Sequence, residues 1–347
     1  PPAAPAQRQH QAAFCLDRRR DMQPLALPTD HPRPLLPTFR GSRVSMPLSP
    51  ALRERLRRLC GRHAVTPYVV LLAAFKLMLS RYGDSLDIAV GTPIANRHLL
   101  ATEPLVGTLV NTLVMRTDLA GNPDFVELVQ RVRKTALEAY AHQDAPFDEI
   151  VELLDQDRRT HPEGLVRTLF NVPNAPLGEL VQTDFTCEEF DLGGTSAQFD
   201  LSIHVDTEFG HRIHLEYATD LFAAVSAERM LANYLALLDQ VLNDEHRPIS
   251  DYAILAPAQL VLIRDAWNAT QAALPARALI HEHLRCGEHA LRDQVAIIDS
   301  HGHRTTYGEL EAASDRLASA LRALGFGRGD RLGLSVPRDA GMVVALL

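Results

Sequence analysis

The chain has 347 residues, of which 46% are hydrophobic and 22% charged, and its formal net charge is −8 at neutral pH. This composition excludes a small disulfide scaffold, a collagen-like repeat and wholesale disorder, and the length predicts about two domains. The acidic balance argues against general nucleic-acid binding, because phosphate contacts need a basic surface.

The charge is unevenly distributed along the chain. Residues 1–62 contain 12 arginines and 4 acidic residues, so this stretch carries +8 and the remainder −16. Five of these arginines interleave with leucines at helical spacing between positions 52 and 62. This pattern is typical of the solvated face of an amphipathic helix, which we favour over a nucleic-acid-binding patch.

The spacing of the cysteines and the hydropathy of the chain indicate the cellular compartment in which we expect the protein. The four cysteines form no CxxC pair, which indicates reduced thiols rather than a zinc or redox site. The longest apolar run, residues 68–75, is far shorter than the roughly 18 residues of a membrane span, and the first residues lack a signal-peptide pattern. We therefore expect a cytoplasmic protein without a membrane segment. Because the chain starts at Pro1 and stops within an apolar segment, we also expect a fragment of a longer protein.

Hydrophobic periodicity predicts a mixed α/β unit up to about residue 255. The proline-rich first 40 residues favour an extended lead-in, because proline lacks the amide donor that helices and central strands use. The predicted elements that follow are a strand at 43–48, helices at 49–61 and 68–81, strands at 87–95 and 109–116, helices at 125–140 and 147–154, strands at 168–172, 199–206 and 213–217, and a helix at 227–242. The helix at 68–81 is apolar nearly all round and should be buried.

A second unit is predicted after a polar, proline-containing hinge at 243–276 that includes a short helical stretch at 259–267. Its predicted elements are a helix from residue 280, a strand at 294–299, a helix at 307–324 and a strand at 331–336.

Two patterns in this second part resemble ligand sites. His281, His283, Cys286 and His289 have metal-like spacing, but no second cluster completes a tetrahedral site, so we expect no metal. Gly325, Gly327 and Gly329 resemble a phosphate loop, yet they follow a helix, whereas phosphate loops precede one. We interpret them as a helix C-cap and turn.

Three segments carry candidate site residues. VGTPIANR (90–97) ends a predicted strand and delivers Asn96 and Arg97, whose guanidinium suits a carboxylate partner. VGTLVNTLVMR (106–116) places Asn111 and Thr112 in an apolar strand, where the neighbouring backbone or a bound ligand must satisfy them. HQDAPFDEIVE (142–152) begins with His142, Gln143 and Asp144, and Asp144 is also a natural helix N-cap ahead of Pro146.

In this order and spacing, the three segments closely resemble the condensation domains of nonribosomal peptide synthetases. LPTDHPRP (27–34), LFNV (169–172), FDLSIHV (199–205) and LEYATDLF (215–222) fit the same family. The resemblance covers about residues 25 to 270 and corresponds to the C-terminal lobe of that domain. Pro173 and Pro176 depart from the family pattern after LFNV, so we expect a short strand there and a less certain sheet.

The second unit resembles the start of an adenylation, or AMP-binding, domain through IHEHL (280–284) and TTYGELEAASDRLASALRALGFGRGDRLGL (305–334). The two resemblances imply an α/β fold: a chloramphenicol-acetyltransferase-like lobe, then a truncated N-terminal part of an acyl-adenylate-forming domain. The implied bounds are a lead-in at 1–24, a condensation lobe at 25–255, a linker at 256–275 and an adenylation fragment at 276–347.

The family's chemistry joins two carrier-bound thioesters into an amide, with an HHxxxDG motif at the interface between its two lobes. This chain contains no His-His pair, so we assign it no catalytic residue and expect it to be inactive alone. The resemblance implies that Arg97 pairs with the Asp of that motif. It also places six further candidates at the lobe interface or along the substrate tunnel: Asn96, Asn111, Thr112, His142, Gln143 and Asp144.

The resemblance also implies the partners and cofactors of the intact synthetase. The partners are peptidyl carrier domains, the N-terminal condensation lobe and the remainder of the adenylation domain, with no nucleic acid and no membrane. The fragment itself binds no cofactor, whereas the synthetase uses ATP, Mg²⁺ and carrier-bound phosphopantetheine. Two alternatives stay open: a non-catalytic docking or scaffold fragment, and an epimerising relative of the same fold, which GTPIANR and the domain order disfavour.

Overall fold

The structure is a computed structural model that describes residues 22–97, 102, 105–147, 149–150, 166–173, 194–206, 211–273, 281 and 291–347. The chain divides into two compact units, Pro1–Arg264 and Asp265–Leu347. Residues 1–21 of the predicted lead-in at 1–24, nearly all of the predicted helix from residue 280 and most of the helix at 147–154 lie outside the described residues.

The first unit combines a sheet with long helices. Its described strands are β1 (Gly41–Pro47), β2 (Asp87–Ile94), β3 (Asn111–Asp118), β4 (Thr168–Asn171), β5 (Leu201–Val205) and β6 (Arg212–Ala218). Its described helices are α1 (Pro50–His63), α2 (Pro67–Gly83), α3 (Phe125–Ala141), α4 (Ala224–Asn243) and the short α5 (Pro257–Val261), which a π-helical turn at Leu262–Ala266 follows. Each predicted strand and long helix of this unit's described part is present, with ends shifted by up to three residues.

The six strands form one sheet in the order β1-β6-β5-β4-β2-β3. All neighbours are antiparallel except β4, which runs parallel to both β2 and β5. β4 has only four residues, and it touches β2 at the single pair Gly91↔Leu169. The short strand that Pro173 and Pro176 led us to expect is therefore confirmed, whereas the doubt about the sheet is not, because the six strands form one continuous sheet.

Helix α2 forms the centre of the core. Thr66 is its N-cap and Pro67 occupies the first turn, where the missing amide costs no hydrogen bond. Every residue from 69 to 80 is buried, which confirms the predicted burial. The Phe75 ring stacks on Phe170 of β4 and meets Tyr234 of α4 edge-on, so aromatic contacts join α2 to the sheet and to α4.

Helix α1 is amphipathic, as its arginine–leucine pattern predicts. Ser49 caps it by accepting a hydrogen bond from the Leu52 amide, and the leucines at 52, 56 and 59 are buried. Arg57 and Arg58 are exposed and bind Glu54 on the same helix. The other side of the arginine face is not simply solvated, because Arg55 binds Asp239 of α4 and Arg62 binds Glu245 just beyond it.

The second unit contains the hairpin β7 (Val295–Ile298) and β8 (Arg304–Thr306), then α6 (Tyr307–Ala323) and α7 (Ala340–Leu346). Thr306 and Glu309 form a capping box, which satisfies amide donors that the first turn of α6 leaves open. The predicted strand at 331–336 is wrong: the segment is non-regular and largely exposed, without a partner strand among the described residues. Leu310 is the only buried side chain in residues 291–347.

Within the described residues, no single helix has both the length and the apolarity to cross a membrane. The helices α1 and α2 meet that criterion only when taken together, and they are bent by 107° at the break between them.

Candidate functional site

The sequence-predicted site residues converge at one end of the β2–β3 hairpin. Ile94, the last residue of β2, pairs with Asn111, the first residue of β3. The loop that carries Asn96 and Arg97 leaves the hairpin at this end, and the turn after α3, which carries His142, Gln143 and Asp144, is hydrogen-bonded to Asn111.

Asn111 joins that turn to the sheet through both ends of its amide. Its Nδ2 donates to the carbonyl oxygens of Gln143 and Ala145, each at 2.9 Å. Its Oδ1 accepts from the amides of Phe147 at 3.0 Å and Thr112 at 2.9 Å. The amide therefore satisfies four backbone groups, so the structural explanation that the sequence left open applies to Asn111.

Arg97 shapes the loop that connects β2 to β3. Its guanidinium donates to the carbonyl oxygens of Thr102 at 2.6 Å, Leu105 at 2.8 Å and Gly107 at 2.9 Å. Asn96 precedes it in the left-handed region, with φ of 53°, which turns the chain away from β2. Arg97 is half-buried, and its pairing with a carboxylate of another lobe stays a prediction.

His142, Gln143 and Asp144 are all half-buried and form the turn after α3. His142 is the helix C-cap, and its Nδ1 lies 2.8 Å from the Glu138 carbonyl oxygen. A carbonyl only accepts, so Nδ1 carries a proton and Nε2 is the acceptor of the neutral ring. Gln143 contributes its backbone carbonyl to Asn111.

Thr112 lies beside Asn111 and pairs with Pro93 of β2. Its Cγ2 is 3.4 Å from the position that a Cβ on Gly91 would occupy, so Thr112 and that position lie on the same face of the sheet. Together, the candidates lie at the hairpin end and on the adjoining turn, and their described polar contacts are mostly with the backbone.

Sequence reasoning missed a fully buried amine. Lys76 of α2 is fully buried, and its Nζ lies 2.6 Å from the Met115 carbonyl oxygen, 2.7 Å from Thr117 Oγ1 and 3.4 Å from the Ile88 carbonyl oxygen. Burial lowers the pKa of Lys76 well below its usual range, although Asp87 opposes that shift. The sequence did indicate this buried amine, because Lys76 is placed in a helix that is apolar nearly all round.

A second missed feature is a pair of histidines on neighbouring strands. His204 of β5 pairs with His214 of β6. Burial, with smaller contributions from His214 and Arg43, lowers the pKa of His204 to about 4. His214 Nδ1 lies 2.6 Å from Ser45 Oγ. The alternation of polar and apolar residues in these two strands could have indicated that the histidines share one face of the sheet.

The glycine-rich turn of the second unit does not fit a nucleotide phosphate. Leu324 is the C-cap of α6, and Gly325 follows it with φ of 91°. The Gly327 amide donates to the Asp330 carboxylate at 2.7 Å, so a negative charge already occupies the turn at the negative end of the helix dipole. The C-cap and turn interpretation is confirmed.

Within the described part of the chain, no group of three or more His, Cys, Asp or Glu residues could hold a metal ion. His283, Cys286 and His289 lie outside the described residues, as do Cys15 and Cys187. Cys60 is a free, half-buried thiol, and burial raises its pKa to about 11.

Comparison with known proteins identifies the class. Residues 3–261 match the family described as Condensation domain, and residues 286–347 match the family described as AMP-binding enzyme. The chain belongs to the condensation-domain family. The chain is a condensation region followed by the start of an adenylation domain. This order, together with the curated relatives, makes the chain part of a nonribosomal peptide synthetase.

The relatives are synthetases much longer than this chain. One component of the linear gramicidin synthase of Brevibacillus parabrevis is 34% identical over 97% of this chain, which spans 7% of the relative. Surfactin synthase subunit 1 of Bacillus subtilis (strain 168) is 33% identical over 93% of the chain, which spans 9% of it. A dimodular nonribosomal peptide synthase of the same species is also 33% identical, and the chain spans 14% of it.

Solved structures support the same fold. The X-domain from teicoplanin biosynthesis has a TM-score of 0.61 and 27% identity, and the match covers 72% of this chain and 57% of that chain. A four-domain nonribosomal peptide synthetase, solved bound to AMP and glycine, has a TM-score of 0.74 and 22% identity over 95% of this chain and 26% of that chain. The second likeness shows the fold alone.

Proposed function

We propose that residues 25–255 form one wall of an amide-forming site in an elongation module, and that residues 276–347 open the domain that activates the incoming amino acid. In the proposed reaction, the lone pair of the acceptor amine attacks the donor thioester carbonyl. The new C–N bond forms, the C–S bond breaks, and the carrier thiol leaves with the proton that the amine loses.

One observation carries this proposal: three separate family segments meet at one hairpin end, where Asn111 fixes the turn at 143–147 to β3. Such a wall acts by positioning, because holding an amine and a thioester in reach replaces a bimolecular encounter. Arg97, Asn96, Asn111, Thr112, His142, Gln143 and Asp144 are the residues we assign to the lobe interface or tunnel, and none is assigned as catalytic.

The partners and cofactors of the working protein are part of the proposal. Peptidyl carrier domains would present both substrates on phosphopantetheine, and the first lobe of the condensation domain and the rest of the adenylation domain would complete the two sites. ATP and Mg²⁺ would serve amino-acid activation, but not at the glycine turn at 325–330, where the Gly327 amide already donates to the Asp330 carboxylate. We place the synthetase in the cytoplasm.

The test uses the intact synthetase that contains this chain, with its donor and acceptor carriers loaded, and measures dipeptidyl thioester by mass spectrometry. We expect product with the wild-type protein and at least about a tenfold loss with Asn111→Leu, because the turn loses its attachment. Asn268→Leu, at an exposed position, is the matched control and should keep full activity. Loaded carriers that give no product with the wild-type protein would favour the scaffold alternative.

The isolated chain should give no dipeptide above background from the same loaded carriers. It has no His-His pair, and a positioned acid or base typically supplies about 10² to 10⁴ in rate. Clear turnover by the isolated chain would contradict the assignment of no catalytic residue to it.

A further inference from the structure

Three hydroxyl groups join α2, α3 and β2 beside the end of the β2–β3 hairpin. Tyr68 lies in the first turn of α2, and its hydroxyl oxygen is 2.8 Å from Oγ1 of Thr92 in β2. A side-chain hydrogen bond also joins the hydroxyl groups of Tyr68 and Tyr140, the penultimate residue of α3. We call these three side chains the hydroxyl chain.

The hydroxyl chain lies on the face of the sheet that the core covers. Thr92 is buried, and it shares a face of β2 with Val90, a core residue two positions earlier. The Tyr68 ring is tilted against Phe170 of β4, with the ring centroids 5.8 Å apart. Because successive side chains of a strand alternate, Thr92 lies on the opposite face from Gly91. The hydroxyl chain is therefore part of the scaffold that supports the hairpin.

The direction of the hydrogen bonds follows from the pKa values of the two tyrosines. Burial raises the pKa of both, and their mutual hydrogen bond raises the pKa of Tyr68 further while it lowers that of Tyr140. Tyr68 is therefore the donor to Tyr140. A phenol has only one hydrogen, so Thr92 is the donor in the bond between Thr92 and Tyr68. The Tyr68 oxygen takes part in both bonds, and its removal breaks both at once.

The outer end of the hydroxyl chain leads to the turn that carries three of the candidate residues. Tyr140 lies two residues before His142, the C-cap of α3. Asn111 of β3 binds backbone groups of the same turn at positions 143, 145 and 147. Thr92 lies two residues before the end of β2. The turn is thus attached to the hairpin twice, to β3 through Asn111 and to β2 through the hydroxyl chain.

We propose that Tyr68 is a positioning residue of the amide-forming site, and that its hydroxyl sets the distance between the end of α3 and the hairpin. This inference rests on the proposed function, because it adds a second attachment to the wall that Asn111 holds. Tyr68 contacts no substrate in this scheme and exchanges no proton. It affects the rate through the placement of the turn at 142–147, where a small displacement reduces productive alignment of the reactants.

The test measures formation of dipeptidyl thioester by the intact synthetase at varied concentrations of the loaded acceptor carrier. Tyr68→Phe keeps the ring and removes both hydrogen bonds, so kcat should fall about five- to twentyfold while KM stays within about twofold. Tyr82→Phe is the matched control. Tyr82 also belongs to α2, is half-buried, and its hydroxyl accepts a hydrogen bond from Asn233 Nδ2 at 2.8 Å.

Both variants lose a partly buried hydroxyl and should lower the melting temperature, but only Tyr68→Phe should lower kcat. An equal loss of kcat in the two variants would show a general effect of stability and would overturn the proposal. Tyr140→Phe should also lower kcat, and the double variant should lose no more than Tyr68→Phe alone, because both changes break the same bond. Losses that multiply in the double variant would contradict the hydroxyl chain.

Hydrogen exchange tests the placement of the turn apart from catalysis. In Tyr68→Phe, the backbone amides of the turn, such as that of Phe147, should exchange faster than in the wild-type protein, whereas in Tyr82→Phe they should not. Wild-type kcat and unchanged exchange in Tyr68→Phe would overturn the inference. If the wild-type protein makes no product, the proposed function fails, and exchange at the turn still decides whether Tyr68 holds it.

Discussion

The replacement of Lys76 by methionine tests whether this buried amine is neutral in the folded protein. Methionine keeps the length of the side chain and removes the titratable group from the contacts with the Met115 carbonyl and Thr117 Oγ1. Three oxygen acceptors favour the ammonium, and complete burial opposes it. Burial is the larger effect on the pKa, so we expect a neutral amine over part of the alkaline range.

The sign of the pH dependence follows from proton counting. The folded pKa of Lys76 lies below the unfolded value of about 10.4, so between these two values the unfolded chain binds one more proton than the folded one. Stability from this group is therefore greatest above pH 10.4 and is lost as the pH falls toward the folded pKa. Within that window, the loss amounts to about 1.4 kcal/mol per pH unit.

Urea unfolding of the wild-type protein and Lys76→Met at several pH values up to 10 measures this slope. The free energy of unfolding of the wild-type protein, minus that of the variant, should rise by up to about 1.4 kcal/mol per pH unit. Tyrosine titration affects both proteins equally and therefore cancels in this difference. Lys134→Met, at the chain's only other lysine, which is exposed on α3, should show no such slope. A constant difference for Lys76→Met would mean that Lys76 has an ordinary pKa, which would refute the reasoning.

Three further outcomes are expected. Asn111→Asp replaces the N–H donors that face the Gln143 and Ala145 carbonyl oxygens with an acceptor. The free energy of unfolding at pH 7, measured by urea titration, should therefore fall by about 2 to 4 kcal/mol, and this fall should be smaller at acid pH. Thr306→Ala removes the N-cap of α6 and should cost about 1 kcal/mol, seen as faster hydrogen exchange across that helix, whereas Thr305→Ala should not. Residues 291–347, with one buried side chain, should exchange faster than the six-stranded sheet, and ATP should not raise the melting temperature of the chain; a saturable ATP-dependent rise would contradict this.

The elements that the sequence predicted well are those whose pattern is local. The all-round apolarity of α2 and the leucine spacing of α1 each determine which face is buried, and both helices occur where they were predicted. The segment 331–336 has the same apolar alternation as a strand, but a strand also needs a partner, and none is paired with it among the described residues. The three-residue β8 was missed because it lies between a turn and a helix cap, with too few residues for a pattern.

The candidate site was predictable in its residues but not in its connections. Asn111 was expected to need a partner because it interrupts an apolar strand. Its partners at 143–147, however, lie 32 to 36 residues away and depend on how α3 packs. The contact between Ser45 and His214 needed the strand register, since these two residues lie 169 positions apart. Composition and spacing cannot supply that register.

The ion pairs that join α1 to α4 and to Glu245 just beyond α4 constrain how this synthetase can be recombined with another. Arg55 binds Asp239 and Arg62 binds Glu245, so each pair joins positions more than 180 residues apart. A chimera whose crossover falls between these helices would combine arginines from one parent with acceptors from the other. Where the other parent has no cation at positions 62 and 63, Glu245, nine-tenths buried, would lose its partners, and an uncompensated buried charge is costly. Crossovers placed after Tyr252 keep both pairs within one parent and should give the better-folded chimeras.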